Sequence, residues 1–107
     1  MNLRKYLTEE NPEKLSRIPV DLTKVNSVDK DKEILRIAMV AELDAISLYE
    51  QLASSATNAD IKKVLLDVAK EEKTHAGEFQ AMLLRLDPEQ EAELKQGQKE
   101  VKKTTGK

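Results

Sequence analysis

From Ala59 to Leu86 the chain reads ADIKKVLLDVAKEEKTHAGEFQAMLLRL. Within this stretch Ile61, Leu65, Val68, Glu72, His75, Phe79, Met82 and Leu86 follow alternating steps of four and three, the spacing that keeps side chains on one face of an α-helix. The stretch reads as one uninterrupted helix. Two polar residues, Glu72 and His75, interrupt its apolar stripe.

A second helical run precedes it. From about Asp29, with Ser27 or Asp29 as the cap, no Gly or Pro intervenes before Thr57-Asn58, and the pattern predicts a helix over that span. One of its faces carries Ile34, Ala38, Ala41, Ala45, Tyr49, Leu52 and Ala56, with Glu42 beside Ala38, Ala45, Ile46 and Tyr49 at helical spacings. Thr57-Asn58 supplies a stop and a new N-cap in one place. Two long helices joined by a short break form an antiparallel hairpin, and two hairpins make a four-helix bundle.

The flanks are weaker. Asp87-Pro88-Glu89-Gln90 reads as a third helix start, with Asp as N-cap, Pro at the first helical position and Gln placed to close a capping box. The helix is expected to be short and polar. From Gln96 the Lys-, Gln- and Thr-rich tail, with Gly97 and Gly106, is expected to fray or act as a linker. Residues 1–26 carry Pro12, Pro19 and scattered apolar residues, and read as an arm with a short helix begun at Asn11-Pro12. The expected organisation is an arm at 1–26, a helical hairpin with the third helix start at 27–95, and a polar tail at 96–107.

Composition agrees with an all-α fold. Of 107 residues, 39% are hydrophobic and 36% charged, with only three Gly and three Pro, as in helical proteins rich in Ala, Leu, Glu and Lys. A two-helix hairpin this short buries little surface alone, so self-association is expected. The net charge of −2, with both signs interspersed, offers no basic field for nucleic acid. No apolar run approaches the roughly 18 residues of a membrane span, and the N-terminus lacks a signal-peptide core, so the cytoplasm is the expected location. Zero cysteines exclude disulfides, Fe–S clusters and thiol nucleophiles. Any metal bound here must use oxygen and imidazole nitrogen.

The polar residues in the stripes carry the chemistry. An isolated carboxylate among apolar side chains costs several kcal/mol or takes up a proton, so placing several together calls for a compensating cation. Glu72-x-x-His75 sets a carboxylate and an imidazole one turn apart on one helix side, both able to reach one ion, and Glu42 points inward from the partner helix. Carboxylate-bridged di-iron bundles take a Glu from each of two helices and a Glu-x-x-His pair from each of two others. This chain holds one of each and a single histidine. A twofold dimer doubles Glu42, Glu72 and His75 into four carboxylates and two imidazoles, enough for two iron ions. Zinc, manganese or calcium can occupy the same ligands, because affinity alone does not select iron.

Other residues have plainer readings. Tyr49, two turns after Glu42, either hydrogen-bonds a ligand carboxylate or fills the core. Met39, Phe79 and Met82 read as packing residues. Glu50, Glu71 and Glu78 read as a solvated face with partners such as Lys73. Asp44 either draws cations toward the site or is simply exposed.

Two segments together resemble the encapsulated ferritins: Ala41-Glu42-Leu43-Asp44-Ala45-Ile46-Ser47-Leu48-Tyr49-Glu50, and Glu71-Glu72-Lys73-Thr74-His75-Ala76-Gly77-Glu78-Phe79. The resemblance covers roughly Lys32 to Val101 and extends more distantly to the rubrerythrin-like domain through the Glu-Glu-x-x-His run. It implies a two-helix chain that dimerises into a ferroxidase centre, dimers that build an annular decamer, and enclosure in an encapsulin nanocompartment that stores the mineral. It also implies Glu42, Glu72 and His75 as iron ligands, with Glu72 bridging and Tyr49 beside the site. The chain departs from the family where an acidic and aromatic entry site is common, offering Ala41, Asp44 and Leu48 there. No apolar residue follows Val101, whereas free-standing members end in an apolar shell-docking peptide, which suggests a shell-fused domain or a shortened chain.

Three functions follow as competing expectations. The first is ferroxidase activity. The second is a rubrerythrin-like peroxide-reducing protein on the same ligands, which needs an electron donor and is disfavoured by the missing cysteine iron domain. The third is a metal-free helical assembly module in which Glu72 and His75 only set the pairing.

Overall fold

The computed structural model describes residues 21–107, and those residues are all-α, with no strand. The expected helix at Asn11-Pro12 and most of the expected arm lie outside the described residues. The described residues begin with a 3-10 turn at Leu22–Lys24, followed by α1 (Lys30–Ser55), α2 (Ala59–Leu86) and α3 (Pro88–Thr105).

Local chemistry sets each boundary. Asp29 occupies the N-cap position of α1, but its side chain makes no capping bond. Its carboxylate instead accepts from Asn26 Nδ2 at 3.1 Å, and Asn26 Oδ1 accepts the Asp29 N–H at 2.9 Å. At the turn between the long helices, Asn58 accepts from the N–H groups of Asp60 and Ile61 at 2.9 and 3.0 Å. That satisfies two of the four orphan donors of α2 and lets the chain reverse in three residues. Asp87 serves two helices: its N–H donates to Leu83 O at 2.9 Å, ending α2, and its Oδ1 accepts from Gln90 N at 3.0 Å, starting α3. Because the Asp87 N–H is spent on α2, only the forward half of the predicted capping box is used.

The tail differs from expectation. Helix α3 runs past Gln96 to Thr105 and closes on Gly106, whose φ of 75° is left-handed and whose N–H bonds Lys102 O at 2.8 Å. Apolar packing is not what holds it. Good helix formers, acidic Glu89 and Glu91 in its first turn, Lys102 and Lys103 in its last, and the Lys95–Glu91 pair at 3.6 Å sustain it locally. Counting apolar residues alone overlooked these terms.

The two long helices pack side by side in the predicted hairpin, whereas α3 touches it mainly near Leu94. Arg36 on α1 ties the α2–α3 junction down, reaching Asp87 Oδ2 at 3.1 Å and Glu33 Oε1 at 2.6 Å. Among the described residues only Ala53, Ala69 and Leu83 are buried. Much of the predicted α2 stripe stays open: Ile61 is 54% exposed, Met82 46% and Leu86 43%, with Val64 beside them at 62%. Covering the exposed half of each would contribute about half of the roughly 1.5–3 kcal/mol that full burial of such a side chain is worth. A single hairpin therefore leaves several kcal/mol of burial unrealised. Among the described residues no helix is long and apolar enough to cross a membrane.

Candidate metal centre

Helix α1 contributes Glu42 at its middle, and α2 contributes Glu72 and His75 one turn apart. Antiparallel packing brings these levels together. One ligand atom from each of the three residues lies within 4.8 Å of the others. His75 Nδ1 is 3.4 Å from Glu72 Oε2 and 3.7 Å from Glu42 Oε2. A cation about 2.1 Å from each donor leaves neighbouring donors about 3.0–3.4 Å apart, so the His75–Glu72 pair already has that spacing and the His75–Glu42 pair is a few tenths of an ångström beyond it.

Burial sharpens the point. The two glutamate side chains are only 19% exposed, and Glu42 Oε2 is buried without a hydrogen-bond partner. A buried carboxylate oxygen left unpaired is costly. A hard divalent cation is the partner that an oxygen–oxygen–imidazole donor set accepts, and the residues present fit one. His75 is 44% exposed.

The remaining expectations sort by position. Tyr49 is half-buried on α1, and among the described residues its hydroxyl makes no hydrogen bond to Glu42 or Glu72. Met39 and Phe79 are half-buried and pack, as expected, while Met82 is exposed. Glu50, Glu71 and Glu78 are exposed, and Glu50 pairs with Lys73 at 3.6 Å. Asp44 is half-buried rather than fully exposed. The Arg36–Asp87 link was not legible in the sequence, because 51 positions separate its members and the capping motif that contains Asp87 says nothing about α1.

Residues 33–107 match the sequence profile of the rubrerythrin family. The chain belongs to the rubrerythrin family. Among its relatives, this rubrerythrin-family chain matches the crystal structure of the encapsulated ferritin domain from Pyrococcus furiosus with a TM-score of 0.74 and 54% identity, over 84% of this chain and 90% of that one. The resemblance read from residues 41–50 and 71–79 is thereby borne out. It is 62% identical over 74 residues to a ferritin-like-encapsulin shell fusion protein of Pyrococcus furiosus, covering 69% of this chain but 21% of that protein. It is also 44% identical over 62 residues to the encapsulin nanocompartment cargo protein EncC of Myxococcus xanthus, covering 58% of this chain and 48% of that protein. The chain thus spans about a fifth and about half of the lengths of these two relatives.

Proposed function

We propose that this rubrerythrin-family chain is a ferroxidase that oxidises Fe(II) to Fe(III), with dioxygen as the electron acceptor, at a di-iron centre shared by two copies. The observation that carries the reading is the unpartnered, buried Glu42 Oε2 within reach of His75 Nδ1 and the Glu72 carboxylate. Two copies supply Glu42, Glu72 and His75 twice. Four carboxylates balance the charge of two Fe(II) ions, and two neutral imidazoles complete the donor set without adding charge.

Iron held there supplies the electrons that dioxygen accepts. The residues do the rest. Glu72, nearest to His75, would hold an ion together with that imidazole and Glu42. Both carboxylates can change binding mode as the charge on iron rises, while the hairpin backbone stays put. Oxidation leaves two positive charges in excess of the four carboxylates, which favours departure of the product for mineralisation. The apolar flank around Val68 and Phe79 limits bulk water once a second copy covers it.

The reading extends to assembly. The names of the two relatives, a shell fusion and a shell cargo, support association with an encapsulin compartment, and the proposal adds iron storage there, in the cytoplasm, with dimers associating into an annular decamer. The test is an anaerobic Fe(II) titration followed by oxygen, comparing the native chain with Glu72→Ala and His75→Ala. Loss of binding and oxidation in both variants is expected, and a variant that oxidises iron at the native rate would overturn the site. The family profile also fits peroxide reduction on the same ligands. Faster oxidation by peroxide than by oxygen in the same experiment would favour that reaction.

A further inference from the structure

Two methionines of the described residues stand in unlike surroundings. Met39 is half-buried and lines the cleft between α1 and α3. Met82, on the apolar stripe of α2, is 46% exposed. It follows His75 by seven residues, two turns or about 10 Å along the same helix face. Arg85, one turn further on, donates from Nη1 to the Met82 sulfur at 3.8 Å and makes no ion pair among the described residues. A thioether is a weak acceptor, so the guanidinium gains little from this contact.

Oxidation of the sulfur would change that. A sulfoxide is polar, and its oxygen beside a guanidinium accepts a charge-assisted hydrogen bond. Both readings of the metal centre bring the oxidant close. Two Fe(II) ions release two electrons, which with two protons reduce dioxygen to hydrogen peroxide, and a peroxide-reducing centre takes hydrogen peroxide as its substrate.

We propose that Met82 is a site of reversible oxidation by hydrogen peroxide, with Arg85 holding the product, and that the sulfoxide keeps two copies from pairing. The inference rests on the paired-chain reading above and adds a control on that pairing. The thioether sulfur attacks one peroxide oxygen, the O–O bond breaks, and the departing hydroxide takes up the proton of the transferred oxygen and leaves as water. Sulfur loses two electrons and peroxide gains them. Arg85 Nη1 donates to the transferred oxygen as negative charge gathers on it.

The consequence falls on the stripe. Ile61, Met82 and Leu86 are uncovered in the single chain, and a second copy that shares the metal centre covers the face carrying Glu72 and His75. Once oxidised, Met82 presents an S–O dipole there and draws the Arg85 guanidinium over it. Covering both without water is costly. The unpaired chain is the reactive form, because pairing shields the sulfur. Peroxide therefore acts on chains that have yet to pair, and enzymatic reduction of the sulfoxide restores them.

The test treats the dilute, metal-free full chain with hydrogen peroxide and then removes the peroxide. Peptide mass spectrometry should find Met82 oxidised several-fold faster than Met39, and Arg85→Ala should slow oxidation at Met82 while leaving Met39 unchanged. Sedimentation with Mn(II) should show self-association of the oxidised chain weakened by at least about tenfold, and methionine sulfoxide reductase should restore it. Met82→Leu should associate equally before and after peroxide. The proposal is overturned by faster oxidation at Met39, by a native rate at Met82 in Arg85→Ala, or by native association of the chain oxidised at Met82. Weakening that persists in Met82→Leu overturns it too. Because peroxide is added rather than made, a chain that fails to oxidise Fe(II) refutes the ferroxidase reading alone. An untreated chain that stays monomeric with Mn(II) refutes the shared centre and this control together.

Discussion

Glu42 Oε2 on α1 lies 3.7 Å from His75 Nδ1 on α2, buried and without a hydrogen-bond partner. A carboxylate in that position should weaken the fold without a cation and strengthen it with one bound. The residue is there at a cost to stability, which makes that cost measurable.

Glu42→Gln removes the uncompensated charge and retains the shape. The metal-free protein should become more stable by about 1 kcal/mol, the lower range for relieving a buried unpaired polar group, while the stabilisation by added Mn(II) or Zn(II) largely disappears. Thermal unfolding with and without metal, at one protein concentration, reads both effects. A Gln variant less stable than the native chain without metal would contradict the account.

His75→Ala should reduce Fe(II) oxidation by more than about 100-fold, since loss of groups that only orient ligands costs 10–100-fold. Helical content should be unchanged, because the ring is nearly half exposed and caps no helix. Circular dichroism and stopped-flow absorbance after oxygen mixing separate these outcomes.

Metal removal should lower stability by mass action. At a free metal concentration one hundred times the dissociation constant, binding contributes about 2.7 kcal/mol. Adding a chelator to the loaded protein should therefore shift the urea midpoint downward, and Glu72→Ala should show no chelator effect.

Arg36→Ala should cut the tie between α1 and the α2–α3 junction. With the Arg36 side chain 43% exposed, the loss should be only about 0.5–1 kcal/mol, and Fe(II) affinity should stay native, because the pair lies away from the metal cluster. Chemical denaturation and an Fe(II) titration check the two halves.

Asn58→Ala should cost about 1 kcal/mol, the usual worth of an N-cap, by releasing the Asp60 and Ile61 N–H groups. Asn58→Asp should retain most of it. Urea unfolding of the three chains gives the comparison.

Much of this was legible in one dimension because the signals are local. The alternating stripe of α2 requires a helix, Asn58 and Asp87 mark its ends through bonds two to four residues long, and Glu72-x-x-His75 is an adjacency of one turn. The predicted span of α2 coincides with the observed one. The extent of α3 was harder to read, since its stability comes from propensity, terminal charge and the Gly106 cap rather than from an apolar face.

By itself, then, the sequence determined which segments are helical and which polar side chains share a face, because both follow from periodicity along a single helix. The tertiary structure alone decided that Glu42 reaches the Glu72–His75 pair, that its Oε2 is left without a partner, and that Arg36 grips Asp87. These facts depend on the relative level of two antiparallel helices. That level is set by how Ala53, Ala69 and Leu83 pack between them, and no pattern within either helix states it.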